Sequence, residues 1–440
     1  MTAVLCILLF AVAGLIVLVL VKPSARIPLI GATVSIYWIP PLLGAVALLL
    51  FGLLLPSEIL SGLTASGDVN PLKILTLFLS MTFLSVFLDE ANFFGYLASI
   101  ILKKAGKSQF VFFLYLFLTV SVLTIFTSND IIVLTFTPFL CYFSKSAKID
   151  PLPYFICEFA AANTFSMALM IGNPTNIYLS ASAGVDFGTY LAHMWLPTLL
   201  AGGTVLGMLL LIFRKRLSTP MGGDTGTADP EAHAIKDRGL LVIGLLHLIL
   251  CILSLAVSAY LPIPMWLLTL AFAGSLLISS LVYHIVRRKK LSILLKAAMR
   301  LPFDIIPFVL SMFVLVLALD KFGVTDLIRG FLDGSGAAVR YGVASFLAAN
   351  VLNNIPMSVL FSPVVAGIES AAAQTEALYA TVIGSNLGAF FTPIGALAGI
   401  MWSAMLKKYG VRLTFPQFIR YGAAVAIPSL AAAILGVLIL

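Results

Sequence analysis

Residues 111–144 read VFFLYLFLTVSVLTIFTSNDIIVLTFTPFLCYFS: two apolar runs joined by a Thr127-Ser128-Asn129-Asp130 turn. The return arm, 131–144, has 14 residues, about 21 Å of helix at ~1.5 Å per residue. The hydrocarbon core of a bilayer is ~30 Å thick. The arm is too short to cross, so the Asn-Asp turn is expected to stop near mid-membrane as a re-entrant tip. Non-helical backbone survives at that depth only where it lines a cavity or is buried in protein.

Composition sets the solvent in which this reading holds. The chain has 440 residues, 61% hydrophobic and 10% charged, with mean hydropathy +1.11. A soluble domain carries about 25% charge, and surface-to-volume scaling leaves no water-soluble fold able to hide so much apolar surface. Alternating ten-residue strands are absent, which excludes a barrel. Residues 3–21 have no basic lead-in and no small-residue cleavage site, so a retained helix is expected there. The net charge of +8 sits in short loops, as the positive-inside rule requires, and implies no nucleic acid. Cys6, Cys141, Cys157 and Cys251 show no CxxC spacing, and His193, His233, His247 and His284 are scattered. Neither a disulfide framework, a metal site nor a cofactor is implied.

The segment 214–238, RKRLSTPMGGDTGTADPEAHAIKDR, is the longest polar stretch. Its Gly, Pro and charge mark a cytoplasmic linker between membrane repeats 1–213 and 239–440. Walking outward from it puts Lys103, Lys104, Lys107, Lys145, Lys148 and the cations of 287–300 inside. Lys22 and Arg26 also fall inside, the loop 56–70 outside.

The two halves share an order of events. Asp89 and Asp320 each follow an apolar helix. A hairpin follows, over 108–144 in the first half and 341–368 in the second, with tips at Asn129-Asp130 and Asn353-Asn354. Next comes an interrupted helix. That over 152–182 breaks at Gly172-Asn173-Pro174-Thr175-Asn176, and that over 376–406 breaks at Thr392-Pro393-Ile394-Gly395. Pro removes a donor and Gly loosens the backbone, so the breaks bare carbonyls and amides. The spacing between halves is about 223–231 residues. The first hairpin opens to the cytoplasm and the second outward. That is an inverted repeat, the mark of secondary transporters with a mid-membrane site between halves. The expected fold is an all-α polytopic membrane protein with about ten transmembrane helices, two re-entrant hairpins and two broken helices.

Asp130 is the residue hardest to explain as structure alone. An ionisable group inside the membrane costs ~2.5–3.5 kcal/mol on insertion scales, and a neutral cap would avoid that cost. A proton or cation role is expected for it. Glu158, within the first broken helix, is either a second proton site or the partner of a basic group near the cytoplasmic face. Asn129, Asn353 and Asn354 either cap the arms or contact solute. Asn163, Thr164, Asn173, Thr175, Asn176, Ser385, Asn386 and Thr392 are expected to line the same cavity, with Gly172, Pro174, Pro393 and Gly395 breaking the helices. Their amides and hydroxyls can bind a small polar solute or replace the water shell of an ion. Asp89 and Asp320 are expected to be solvated, interfacial residues. No P-loop occurs and no catalytic set is evident, so a non-enzymatic carrier driven by an ion gradient or a separate subunit is expected.

The stretches FLDEANFF (87–94), SNDIIVLTFTPF (128–139), ANTFSMALMIGNPTNI (162–177), NVLNNIPMSVL (350–360) and YATVIGSNLGAFFTPIGALAGIMW (379–402) resemble arsenical pump membrane proteins of the ion transporter superfamily. Divalent anion–sodium symporters and sodium/proton antiporters belong to the same superfamily. The resemblance spans nearly the whole chain. It implies a scaffold domain plus a transport domain, a homodimer in the bacterial or archaeal inner membrane, and an elevator motion. It also implies proton-coupled export of arsenite and antimonite, sometimes with a soluble ATPase subunit. The chain departs from many arsenical pumps in carrying Ser385-Asn386 where they have Cys-Asp, and Asn163 where they have Asp. A hydroxyl-bearing As(OH)₃ can still be held by Asn, Ser and Thr.

Overall fold

A computed structural model describes residues 1–21, 24–26, 33–64, 70–222, 234–260, 263–393, 395–411 and 413–440. Lys22, His233, Ile394, part of the 56–70 loop and the middle of the 214–238 linker lie outside the described residues.

The chain is helical almost throughout. The first half comprises α1 (Thr2–Val21), α2 (Ile39–Leu50), α3 (Pro56–Thr64), α4 (Pro71–Glu90), α5 (Phe93–Ala105), α6 (Gln109–Phe126), α7 (Asn129–Ser146), α8 (Leu152–Phe165), α9 (Pro174–Ser182) and α10 (Phe187–Leu217). The second comprises α11 (Arg238–Ala256), α12 (Met265–Arg287), α13 (Ser292–Met299), α14 (Ile305–Lys321), α15 (Val324–Leu332), α16 (Ala337–Leu352), α17 (Asn354–Ala366), α18 (Ala371–Gly388), α19 (Leu397–Lys408) and α20 (Phe415–Ile439). Between α1 and α2 the backbone pairs in a short antiparallel ribbon, Ser24–Arg26 with Thr33–Ser35, which the sequence reading did not expect.

Local chemistry starts many of these helices. Asn70 accepts from Leu72 N at 2.8 Å, with Pro71 at the first position of α4. Asn173 and Pro174 open α9 in the same way, Asp186 caps α10, and Thr414 with Gln417 forms a capping box on α20. Each cap satisfies amides that the first turn would otherwise leave bare.

Each helix of the first half has its counterpart ten places later. α6 packs on α8 as α16 packs on α18; α7 meets α19 as α17 meets α9; α4 meets α12 as α14 meets α2. The halves run in opposite senses. Arg300, just before α14, pairs with Glu90 at the far end of α4, while Lys321 at the end of α14 pairs with Glu58 of α3. α1, α2, α4 and α11–α14 gather into one body, and α6–α10 with α16–α20 into another. Among the described residues, six helices are long and apolar enough to cross a membrane, seven if the 77° bent pair α14–α15 is one span; shorter apolar helices supplement them.

Several boundaries differ from the sequence reading: α10 runs on to Leu217, into the expected linker, and the second break opens after Gly388, where α18 ends, not at Thr392. The first return arm is α7, 18 residues rather than 14, because Asn129 and Asp130 themselves enter the helix and it runs on to Ser146. The first helix break begins at Ser166, not Gly172: α8 ends at Phe165 and a single 3₁₀ turn, Met170–Gly172, precedes α9. The reason is a fold-back of the chain. A Cβ on Gly172 would lie 2.3 Å from the Ser166 carbonyl oxygen, and one on Gly395 would lie 2.5 Å from that of Gly388. Only glycine permits either approach.

Candidate functional site

The first break, the first hairpin tip and the helix leading into the second break meet in a buried amide network. Asn386, on α18, is its hub. Its Oδ1 accepts from Ser166 Oγ at 2.9 Å and from Asn173 Nδ2 at 3.0 Å. Its Nδ2 donates to Asn176 Oδ1 at 2.7 Å and to the Val382 carbonyl at 2.8 Å. Asn176 in turn donates to the Ser166 and Leu169 carbonyls, at 2.8 and 3.2 Å, so it repairs the backbone bared by the first break. Thr175 sits beside it, its amide on Asn173 Oδ1.

Asn163 repeats one of these bonds. Its Nδ2 donates to the Phe159 carbonyl four residues back, as Asn386 does to Val382. Its Oδ1 accepts from Asn129 Nδ2 at 3.1 Å. The helix cap before α7 is Ser128, without a side-chain cap bond, so Asn129 reaches across the site instead of capping its own arm. Asn353 does cap: it accepts from Ile355 N at φ 76° and ψ 152°, a backbone region that costs an ordinary residue ~1–3 kcal/mol. The Asn354 backbone N–H donates to the Gly395 carbonyl at 2.9 Å, tying the second tip to the second break.

Among the described residues, Asn129 Oδ1, Thr164 Oγ1 and Ser385 Oγ are buried here without a hydrogen bond. Buried polar groups are nearly always paired, so these atoms mark where a solute or ion could be received. The net character is neutral, since every side chain of the network is an amide or hydroxyl.

Other expected site residues stand apart. Thr392 bonds Asn350 Oδ1 at 2.7 Å, and Pro393 flanks it on the far side of the second break. Glu158 is fully buried on α8 and accepts from Thr137 Oγ1 at 2.9 Å; among the described residues no cation pairs with it, which removes the expectation of a basic partner. Asp130 is half-buried in the first turn of α7. Among the described residues no hydrogen-bond donor or cation holds its carboxylate. Asp89 is not a solvated residue: its carboxylate pairs with Arg300 at 2.7 Å and accepts from Thr135 of α7 at 2.9 Å. Ser166 and Asn350 escaped the sequence reading. Ser166 lies three residues after Asn163 and Asn350 three before Asn353, spacings that share a helix face.

This architecture has relatives. Residues 16–384 match the model of a family described as citrate transporter. The chain belongs to that family. An arsenical pump membrane protein of Yersinia enterocolitica is 27% identical over 366 residues, 80% of this chain and 83% of that one. One of Escherichia coli K12 is 27% identical over 364 residues, with the same coverage. A putative arsenical pump membrane protein of Bacillus subtilis is 23% identical over 88% of this chain and 92% of its own length. The YdaH transporter of Alcanivorax borkumensis superposes with a TM-score of 0.59 at 14% identity, covering all of this chain and 97% of that one. That likeness concerns the fold. The protein is therefore a multi-pass membrane transporter.

Proposed function

We propose that this transporter exports arsenite and antimonite, as the neutral hydroxides, in exchange for protons. The observation that carries the reading is the pairing of a wholly neutral amide and hydroxyl network around Asn386 with one unpartnered carboxylate, Asp130, nearby. A neutral polyhydroxide needs donors and acceptors and no counter-charge. Asn129, Asn163, Thr164, Asn173, Thr175, Asn176, Asn353, Asn354, Ser385 and Asn386 would shape the solute site. Asp130, in the first turn of α7 beside Asn129, would carry the proton, with Glu158 as a second candidate. Alternating exposure of the network by an elevator motion of the hairpin body couples the two fluxes, since each state binds solute and proton differently. The positive-inside rule places the 214–238 linker in the cytoplasm, between repeats 1–213 and 239–440 of an inner-membrane protein. A homodimer is the expected assembly, and a soluble ATPase subunit would dock on that linker side.

A second reading is sodium-coupled uptake of a di- or tricarboxylate, of which only the carboxylate substrate class is supported by the family description. The neutral site weighs against it, because a multiply charged anion gains most from Arg or Lys.

The test is arsenite uptake into everted vesicles energised by a proton gradient. Accumulation that collapses with an uncoupler and in Asp130→Asn supports the proposal. Sodium-driven citrate uptake by the same protein, without arsenite accumulation, replaces it with the second reading.

A further inference from the structure

A cavity of about 240 Å³ lies at the seam between the two bodies, beside the end of α14 remote from Arg300. α14 lines it from one body, and α9 and α17 line it from the other. Much of its wall is hydrocarbon, from Phe313, Val316 and Leu317 of α14 and Val359 of α17. Ser362 of α17 lines it too. That residue is 1% exposed, and among the described residues its hydroxyl has no hydrogen bond. Buried hydroxyls are nearly always paired, so this one is open to a ligand that donates or accepts.

Charge narrows the ligand. Asp320, exposed near the end of α14, lines the same cavity. Its carboxylate accepts from Thr325 Oγ1 at 2.6 Å and meets no cation among the described residues. The cations nearest in sequence are committed elsewhere. Lys321 holds Glu58 at 2.7 Å and the Leu53 carbonyl at 3.3 Å. Arg329 holds Asp326 at 2.7 Å and the Val364 and Pro363 carbonyls. Ser182 Oγ gives its hydrogen to the Leu179 carbonyl at 2.7 Å, which leaves the cavity only its lone pairs. Among the described residues no Lys, Arg or His lines the cavity, so an anion would meet a carboxylate with nothing to offset it.

We propose that this seam cavity is a binding site for a protonated primary amine with a compact apolar body. The ammonium, with three N–H donors, donates to the Asp320 carboxylate and the Ser362 hydroxyl. The hydrocarbon packs on Phe313, Val316, Leu317 and Val359. Tyr178 and Phe313 add aromatic rings to the wall, and such rings attract a cation. A bare metal ion would leave most of the cavity empty against carbon walls, without the dispersion contacts an organic body makes there. A neutral alcohol would bring no charge to Asp320. The site rests on no assumption about the transported solute.

Equilibrium binding of radiolabelled adamantylammonium and cyclohexylammonium to the purified full-length protein in detergent tests it, with adamantanol and adamantanecarboxylate as competitors. We expect saturable binding of at least one amine, displaced by unlabelled amine and far less by the alcohol or the carboxylate of the same shape. Asp320→Asn deletes the charge and keeps an oxygen for Thr325; it weakens binding roughly five-fold, the size of a partly exposed charge pair. Ser362→Ala conserves packing and weakens binding by roughly the same factor, one net hydrogen bond. Asp320 is exposed, so its variant serves alone if Ser362→Ala is not monodisperse. Absence of saturable binding by both amines, displacement by the alcohol as effective as by the amine, or affinity unchanged in the Asp320 variant each overturns the proposal.

Discussion

Asn386 shows how a single side chain ties the first break to the helix that leads into the second. It makes four hydrogen bonds, three to residues more than two hundred positions away in sequence. Asn386→Leu leaves Asn173 Nδ2 buried without its acceptor and Asn176 Oδ1 with only the long 3.4 Å bond from Thr175 Oγ1, and a buried group left unpaired costs ~1–3 kcal/mol. We expect a loss of about 2–4 kcal/mol, read as lower thermostability in detergent. Asn129→Ala removes one bond to Asn163 and should cost roughly 1 kcal/mol in the same assay; an equal loss in the two variants would mean that Asn386 is not the hub. Residue types and spacing were enough to nominate the amides. They could not reveal Ser166 as a bridge, because its role depends on α18 arriving from the other half. Nor could they tell that Glu158 faces Thr137 and no cation.

At the scale of elements, the charged ends of the helices fasten the bodies. Asp237 caps α11 through Gly239 N and Leu240 N, and it accepts from Tyr283 Oη and Lys289 Nζ near the end of α12. Burial alone would raise its pKa, but the Lys289 bond and the amide and phenol donors outweigh that and hold it below the usual carboxylate range. A depressed carboxylate adds stability above its unfolded pKa of about 3.9 and loses it as pH falls through the folded value. The thermostability gap between the native protein and Asp237→Asn should therefore be open at pH 7 and close as pH drops below about 4. A gap independent of pH would mean that the cap geometry alone matters. Arg329 fastens hairpin two, donating to the Val364 and Pro363 carbonyls at the end of α17. Arg300 grips Asp89, which in turn holds Thr135 of α7 in hairpin one. Hairpin existence and tip position were legible from apolar run lengths. Arm lengths were not, since helices absorb or release a few residues according to what they pack against.

For the whole molecule, the proposed elevator motion requires the two bodies to move relative to one another. A cavity of about 240 Å³ between α9, α14 and α17 is lined by Val316 of one body and Val359 of the other. Cysteines at these positions should cross-link by a short bismaleimide and stop transport, with reduction-insensitive arrest scaling with cross-link yield. The native thiols offer a clean background, because Cys141, Cys157 and Cys251 are buried and only Cys6 is exposed, so Cys6→Ser is the parent. Full transport in the cross-linked protein would exclude relative motion of the bodies at that seam.

The sequence by itself determined the solvent, the helical class and the repeated order of events, because mean hydropathy, run length and Gly/Pro punctuation are local properties of the chain. The inverted relation of the halves was also legible, through the alternation of basic and uncharged loops. Only the tertiary structure decided which polar groups meet. Asn386 finds Asn173 and Asn176 across the halves, and Asn163 finds Asn129. Hydrogen-bond partners separated by some two hundred residues are fixed by how two rigid helical layers dock, and no spacing along the chain encodes that.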